Sequence, residues 1–504
     1  MRRLMVAVGA VLAVFAAMAG NAADAAPAKK KIAANQWDVV LVLTDDQPIG
    51  TLQGMPEVNR LLAARGTTFP NAIVPTSLCC PSRTSLLTGK LATATGIYSN
   101  ESDTGVGGYP AVKAAGLEND TIATALDGAG YQTAYFGKYL NEYGALYDGV
   151  APPGWDTWRV FTTTVQSGRY RNFGLSDGVP FGQRAKSARQ EFIPGYSTTK
   201  LGGLAADYIR SAPADQPLLT VFAPYAPHSP FTAERKYRGT SRLPADYRNA
   251  SVNEVDVSDK PWYVQQVPLT NTVEGAAPGA NLAKQIDTLR SVDDQVAAIY
   301  NAVKARGRLD RTLFVFTSDN GYMHGEHRLD GKGYPYLKST NVPLVMRWGN
   351  GSAGTVDPRL TVANIDVAAT ILTAAGLPNR TQGTPVTMDR NEQGVPMVGT
   401  EATSRAIRPP FCAWRTREEL FVRYGTLEEE YYDYRVDPYE LTNRVKDPAY
   451  AARVDQLRAL ARAACDPPPP GYGPTFDLPR WRSKRGGSEV PMPDAGEDQV
   501  ARAD

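Results

Sequence analysis

Histidine and cysteine are scarce in this chain: three His (His228, His324, His327) and four Cys (Cys79, Cys80, Cys412, Cys465) in 504 residues. So few exclude a disulfide-dense scaffold and a structural zinc site built from four close ligands. An excess of charge of either sign is also missing. Lys plus Arg number 54 against 52 Asp plus Glu, a formal charge of +2. That excludes a bulk basic face, so no nucleic-acid partner is expected. Beyond the first twenty residues no apolar run is long enough to span a bilayer, and stable membrane insertion is not expected. There is no internal repeat. What remains is a globular composition, 42% hydrophobic and 21% charged, at a length that suits one large domain and a smaller one.

The N-terminus reads as an export signal. Arg2 and Arg3 precede an apolar, small-residue stretch from Leu4 to Gly20, and Ala23-Asp24-Ala25 offers an A-x-A cleavage site. The alternative, a membrane anchor, suffers from a run of only 17 residues that ends in Asn21. Residues 1–25 are therefore expected to be a signal peptide, and the protein to be secreted or extracytoplasmic. No Cys precedes Cys79, which gives no support to a lipoprotein.

After a short linker, Asp38 to Thr44 is a continuous apolar run of strand length. Similar runs follow at Leu218–Ala223, Thr312–Thr317 and Val342–Met346. Helix-period segments alternate with them at Thr121–Ala129, Thr198–Ser211, Lys284–Ala305 and Ile365–Ala375. This alternation predicts an α/β fold with a covered central sheet. The first three runs end in polar residues: Asp45-Asp46, then Ala226-Pro-His228, then Ser318-Asp319-Asn320. Ligands of open α/β sheets gather outside the carboxyl ends of strands, so these clusters mark a candidate site. Residues 231–283 read as a long excursion of the kind that is often functional. Past about residue 385 short strands (Leu420–Tyr424, Glu429–Tyr434) and a helix (Tyr450–Ala464) suit a small α+β domain. The expected division is 37–385 for the large domain, 386–475 for the small one, and a mobile tail at 476–504.

The chemistry centres on Cys79-Cys80-Pro81-Ser82-Arg83, followed by Leu87-Thr88-Gly89-Lys90. This stretch resembles the signature C-x-P-S-R-x-x-x-L-T-G-[RK] of the formylglycine-dependent sulfatases at every specified position. The resemblance extends from about residue 37 to 445. It implies an alkaline-phosphatase-like large domain, with a mixed central sheet flanked by helices and a small C-terminal α+β domain. It also implies that a formylglycine-generating enzyme oxidises Cys79. Asp45-Asp46 and Thr317-Ser-Asp319-Asn320-Gly321 resemble the family's metal-binding pairs. Gly137-Lys138, Ala226-Pro-His228-Ser-Pro230 and Gly331-Lys332-Gly333 resemble the segments carrying its active-site Lys, His and Lys. Tyr432-Asp433 and Asp437-Pro438, with Glu440 and Asn443, resemble the small-domain signature.

The implied catalytic set is thus Cys79, Arg83, Lys138, His228 and Lys332, and the implied metal set is Asp45, Asp46, Cys79, Asp319 and Asn320. These are hard oxygen donors once Cys79 is oxidised and hydrated, which suits Ca²⁺, with Mg²⁺ possible, rather than zinc. Arg83, Lys138 and Lys332 would hold the sulfate, and His228 and Lys332 would assist the leaving alcohol. Taken singly, each pair also reads as turn or cap chemistry, and His324 and His327 read as lying behind the ligands or on the surface. The sequence departs from the family pattern at Leu140, where many sulfatases have His, and at Leu337 and Asn341, where relatives often have Glu and Arg. The Gly137-Lys-Tyr-Leu-Asn141 form, with Leu78-Cys-Cys-Pro-Ser82, is similar to the N-acetylglucosamine-6-sulfatase branch, so the expected substrate is a sulfated sugar, with small aryl sulfates as proxies. The alternatives are a phosphomonoester or phosphonate hydrolase on the same fold, or a catalytically dead glycan-binding protein. Export and the placing of Cys412 and Cys465 in or beside the small domain predict a disulfide between them, leaving Cys80 as a buried, unreactive thiol.

Overall fold

The computed structural model describes residues 36–472 apart from 163–168, 177, 179–189, 214, 270–278, 389–393, 401 and 404–406. The expected signal peptide 1–25 and tail 476–504 lie outside the described residues.

The main sheet has eight strands. In chain order they are β1 (Asp38–Thr44), β2 (Thr67–Thr68), β3 (Gln132–Gly137), β4 (Thr157–Val160), β5 (Leu218–Ala223), β6 (Thr312–Ser318), β7 (Leu344–Trp348) and β8 (Thr355–Val356), arranged spatially as β8-β2-β7-β6-β1-β5-β3-β4. β1 is central and parallel to both β5 and β6. β7 runs antiparallel to β6, so the sheet is mixed.

All seven residues of β1 are buried, as its unbroken apolar run requires. Its side chains alternate between two cores. Val39, Leu41 and Leu43 pack with Leu86 and Leu87 of α1 (Cys79–Thr88), Ile122 and Leu126 of α2 (Ile122–Gly128), and Val367 and Ile371 of α5 (Ile365–Ala374). Val40 and Val42 pack on the other side with Leu201 and Ile209 of α3 (Ser197–Ser211) and Leu289, Val292 and Val296 of α4 (Ala280–Ala305). The result is a helix–sheet–helix sandwich whose parallel strands point one set of carboxyl ends at a common edge.

A second, four-stranded antiparallel sheet follows: β9 (Val395–Gly399), β10 (Phe411–Arg415), β11 (Glu419–Tyr424) and β12 (Glu429–Asp433), in spatial order β9-β10-β11-β12. One face packs Leu420, Val422 and Tyr424 against Tyr334 and Tyr336 of the large sheet's loops. The other packs Phe421 and Tyr431 under Val454, Leu457 and Ala461 of α6 (Ala451–Ala464). The Cys412–Cys465 disulfide joins β10 to the end of α6, with Cα atoms 6.1 Å apart and a sequence separation of 53.

Two expectations shift. β7 begins at Leu344 rather than Val342, because Val342 is spent bonding its backbone N–H to Ala72 O at 3.0 Å. β3 was not foreseen: Gln132 and Thr133 break its apolar run, although five of its six residues are buried.

Candidate active site

The carboxyl ends of β1, β3, β5 and β6 deliver residues to one spot. β1 runs straight into Asp45 and Asp46, which are 0% and 1% exposed. Asp46 takes a left-handed backbone, φ 66°, and its N–H donates to Asp319 Oδ1 at 3.1 Å just past β6. β3 ends in Gly137 and Lys138. At Gly137 φ is +123°, and a Cβ there would lie 1.9 Å from Ala223 O, so the strand can turn the lysine inward only if this residue is glycine. Lys332 lies between Gly331 and Gly333, both at positive φ.

Helix α1 supplies the rest, and the signature residues have local reasons. Pro81 falls in the first turn, where a missing N–H costs nothing. Asn100 Oδ1 accepts from Cys80 N at 2.8 Å, doing the work of an N-cap. Gly89 ends the helix in the left-handed region, φ 67°. Cys79 and Arg83, four residues apart, project from the same face.

The side chains converge on Cys79 Sγ. Lys332 Nζ lies 2.6 Å from it and Lys138 Nζ 3.1 Å. The thiol points at Asp45 Oδ1, 3.4 Å away, with Asp46 Oδ1 at 3.9 Å. Lys138 Nζ donates to Asp45 Oδ2 at 2.6 Å, and Lys332 Nζ to Asp46 Oδ1. Arg83 Nε donates to Asp319 Oδ2 at 2.8 Å, and its Nη1 to Lys138 O at 2.5 Å. His228 Nε2 stands 3.5 Å from Asp46 Oδ2, while Nδ1 is 2.8 Å from both Tyr225 Oη and Ser229 O.

Burial and charge act against each other here. Burial would raise the pKa of Asp45, but Lys138, His228 and Arg83 outweigh it and hold the carboxylate ionised. Asp46 is lowered in the same way, against burial, by Lys332 and His228. Burial lowers Lys332, yet Asp46 and Cys79 raise it well above an ordinary lysine. Burial pushes the Cys79 thiol far up and lowers His228, against the pull of Asp46 and Asp45. Asp45, Asp46 and Asp319 balance Arg83, Lys138 and Lys332, so three charges of each sign cancel. A bound dication would leave an excess of +2, which suits an anionic ligand.

The donor set fits a hard cation. Ligand atoms of Asp45, Asp46, Cys79 and His228 lie within 4.8 Å of one another. Asn320 donates through Nδ2 to Asp46 Oδ1 at 2.7 Å, while its Oδ1 is buried without a hydrogen-bond partner. An orphaned amide oxygen beside two carboxylates is what an oxygen-seeking ion requires. Arg83 Nη2 is likewise buried without a hydrogen-bond partner, beside the thiol.

The structure therefore gathers the residues singled out in sequence for catalysis and metal binding. Others were missed. Tyr225 buttresses His228, and Gln285 backs Asp46 by donating Nε2 to its carbonyl at 2.7 Å. Tyr225 sits three residues before His228 and was legible as part of that motif; Gln285, from the middle of α4, was not. His324 and His327 are 2% and 1% exposed, which removes the surface alternative for them. His324 Nε2 bonds Gln285 Oε1 at 2.8 Å, and His327 Nδ1 bonds Glu254 Oε2 at 2.6 Å. Leu140 is buried in the apolar core around β1. Cys80 is also buried, its thiol pushed up to about 12 by that burial.

A family model described as Sulfatase matches residues 38–377. The chain belongs to the sulfatase family. It is 32% identical over 389 residues to human N-acetylglucosamine-6-sulfatase, covering 75% of this chain and 66% of that protein. The goat (Capra hircus) N-acetylglucosamine-6-sulfatase is 30% identical over 494 residues, covering 88% and 85%. The Drosophila melanogaster extracellular sulfatase SULF-1 homolog is 31% identical over 358 residues, 70% of this chain but 30% of that one. The chain thus spans less than two thirds of the length of two of these three relatives. Among solved structures, one determined in complex with its substrate D-glucosamine-2-N,6-O-disulfate has a TM-score of 0.69 at 20% identity, covering 86% of this chain and 98% of that one. The phosphonate monoester hydrolase of Agrobacterium radiobacter reaches 0.65 at 20% identity, covering 85% and 96%. The sulfatase shares with them the alkaline-phosphatase-like fold: a mixed central sheet, flanking helices and a small C-terminal sheet domain.

Proposed function

We propose that this sulfatase hydrolyses sulfate monoesters of sugars, N-acetylglucosamine 6-sulfate among them, after export and after conversion of Cys79 to formylglycine. Residues 37–385 form its catalytic unit and 386–475 the smaller one. The observation that carries the reading is the convergence on Cys79 of two lysines, an arginine and three carboxylates, with the Asn320 amide oxygen left without a partner.

Cys79 Sγ stands where the hydroxyl oxygens of the formylglycine hydrate would lie. In that form residue 79 supplies a geminal diol, one hydroxyl to attack sulfur and a second whose ionisation releases sulfate. Asp45, Asp46, Asp319 and Asn320 would hold Ca²⁺, with Mg²⁺ as the second choice, and the ion would polarise the sulfate. Arg83 holds the hydrate in place, and with Lys138 and Lys332 it presents positive charge to the sulfate oxygens as negative charge grows on them. His228, oriented by Tyr225 and with Nδ1–H held by the Ser229 carbonyl, would donate a proton from Nε2 toward the departing sugar oxygen as the imidazolium, and Lys332 would stabilise that oxygen. Leu140 leaves no histidine at the position where many sulfatases have one.

Peptide mass spectrometry should find an aldehyde at position 79 in active protein, and chelation should abolish turnover. Activity with an unmodified thiol, or stoichiometric zinc by elemental analysis, would refute the mechanism. Comparing kcat/KM for 4-nitrophenyl sulfate and phosphate separates this reading from a phosphomonoesterase on the same fold. No turnover of any ester would favour a glycan-binding protein.

A further inference from the structure

Arg415, the last residue of β10, is 3% exposed. Its guanidinium carbon sits 3.9 Å from the centre of the Tyr434 ring. Nε is buried without a hydrogen-bond partner, and among the described residues no carboxylate pairs with it. A buried cation without a counterion is costly, and stacking on a tyrosine offsets only part of that cost. The balance calls for an anion.

Arg415 lines a cavity of about 270 Å³ between the small sheet and the segment that follows Lys332. Three more cations share its wall, Lys338, Arg417 and His327. Arg417 is paired with Glu418 at 2.7 Å. His327 would be pushed down by burial, but its bonds to Glu254 and Glu440 carry it up to about 9, so it is charged at neutral pH. The two acids that line it are occupied: Glu440 accepts from Leu337 N at 3.0 Å and from Tyr434 Oη at 2.9 Å, and Glu326 accepts from His324 N at 2.6 Å. A second orphan belongs to a residue of the same wall. Asn341 is 5% exposed, and its Oδ1 is buried without a hydrogen-bond partner. Tyr439, 40% exposed, and Leu337 add apolar wall. A cation without a counterion, an acceptor without a donor and an aromatic edge together describe an acidic sugar: its carboxylate or sulfate on Arg415, a hydroxyl on Asn341 and a ring face on Tyr439.

We propose that this cavity binds an anionic sugar unit distinct from the sulfate ester that is cleaved. It rests on the sulfatase reading only in that the unit would belong to the same acidic glycan; binding can be read without turnover. The test is calorimetric titration of the intact protein with glucuronate, with glucose as a neutral match and with sodium sulfate. Glucuronate should bind, glucose should not, and Arg415→Met should weaken glucuronate about tenfold or more. Tyr439→Ala, at an exposed position, should also weaken it and guards against misfolding of the Arg415 variant. 4-Nitrophenyl sulfate turnover should be unchanged in both, and the melting temperature should rise in Arg415→Met and not fall in Tyr439→Ala. Glucuronate binding that is absent, or that ignores both substitutions because it occurs in the catalytic pocket, overturns the proposal. Sulfate bound as tightly as glucuronate overturns the assignment to a sugar.

Discussion

The two ends of strand β1 carry buried carboxylates with opposite surroundings. At its start, Asp38 accepts from Arg306 at 3.0 Å, from Arg308 at 3.0 and 3.1 Å, and from Leu218 N at 3.0 Å. Both of its oxygens are matched by fixed donors. At the other end, Asp45 and Asp46 share two lysines and a thiol, and an amide oxygen and a guanidinium nitrogen nearby have no hydrogen-bond partner. One end is closed and serves stability. The other is left incomplete at the expense of stability, because a ligand is to complete it.

The largest expected effect is the loss of chemistry at the open end without loss of fold. Cys79→Ala and Asp319→Ala should each reduce kcat/KM for 4-nitrophenyl sulfate by about 10⁴-fold or more, on the scale seen when one member of a concerted catalytic group is removed. The thermal midpoint of Cys79→Ala should stay close to that of the parent, since only a small uncharged group is removed. Unfolding of Cys79→Ala in the same assay would mean the open end is structural after all.

Asp38→Asn should behave in the opposite way. It strands Arg306 and Arg308, and breaking a buried pair from one side costs about 3 kcal/mol. Denaturant unfolding should show that loss, while kcat per folded molecule stays at the parent value. A variant with parent stability would deny that this end is a clamp.

What the sequence made legible follows the same division. Runs such as Asp38–Thr44 and Leu218–Ala223 declare buried strands because apolar residues fall on both faces of each, and their polar ends announce a site. The signature, the Gly–Lys pair and the two acidic pairs are local patterns, so chemistry could be assigned to numbers. Partnerships were not legible. That Gln285 braces Asp46 from 239 residues away, or that Glu430 gathers Tyr336, Tyr424 and Tyr432, depends on how two sheets pack, and no short spacing encodes it. β3 escaped because Gln132 and Thr133 dilute a run whose other residues are buried by neighbouring strands.

A smaller effect sharpens the open end. Charge develops on the bridging oxygen as its bond to sulfur breaks. A nitrophenolate carries that charge without help, whereas a sugar alkoxide needs a proton. His228→Ala should therefore cost about tenfold more on glucosamine 6-sulfate than on 4-nitrophenyl sulfate. Lys138→Ala should hurt both substrates alike, because both present the same sulfate. Equal losses for His228→Ala across the pair would place His228 on the sulfate and not on the leaving group.

The smallest effect concerns a third carboxylate, Glu430, which has donors but, among the described residues, no ion pair. Tyr424 Oη, Tyr432 Oη and Tyr336 Oη donate to it at 2.6, 2.5 and 2.9 Å. Burial raises its pKa from the usual 4.5 to about 7, although those hydroxyls and Lys260 pull the other way. The folded value thus lies above the unfolded one, and between these limits the folded protein holds a proton that the unfolded chain has released. Its stabilising contribution is full below about pH 4.5 and is lost as pH rises through about 7. Glutamine keeps the shape and cannot ionise. The gap in stability between Glu430→Gln and the parent should therefore shift in favour of the variant on going from pH 5 to pH 8. Comparing the two proteins at both values cancels every other titrating group. A gap that does not move with pH would show that tyrosine donors alone satisfy this carboxylate as fully as the arginines satisfy Asp38, and that closure in this fold needs no cation.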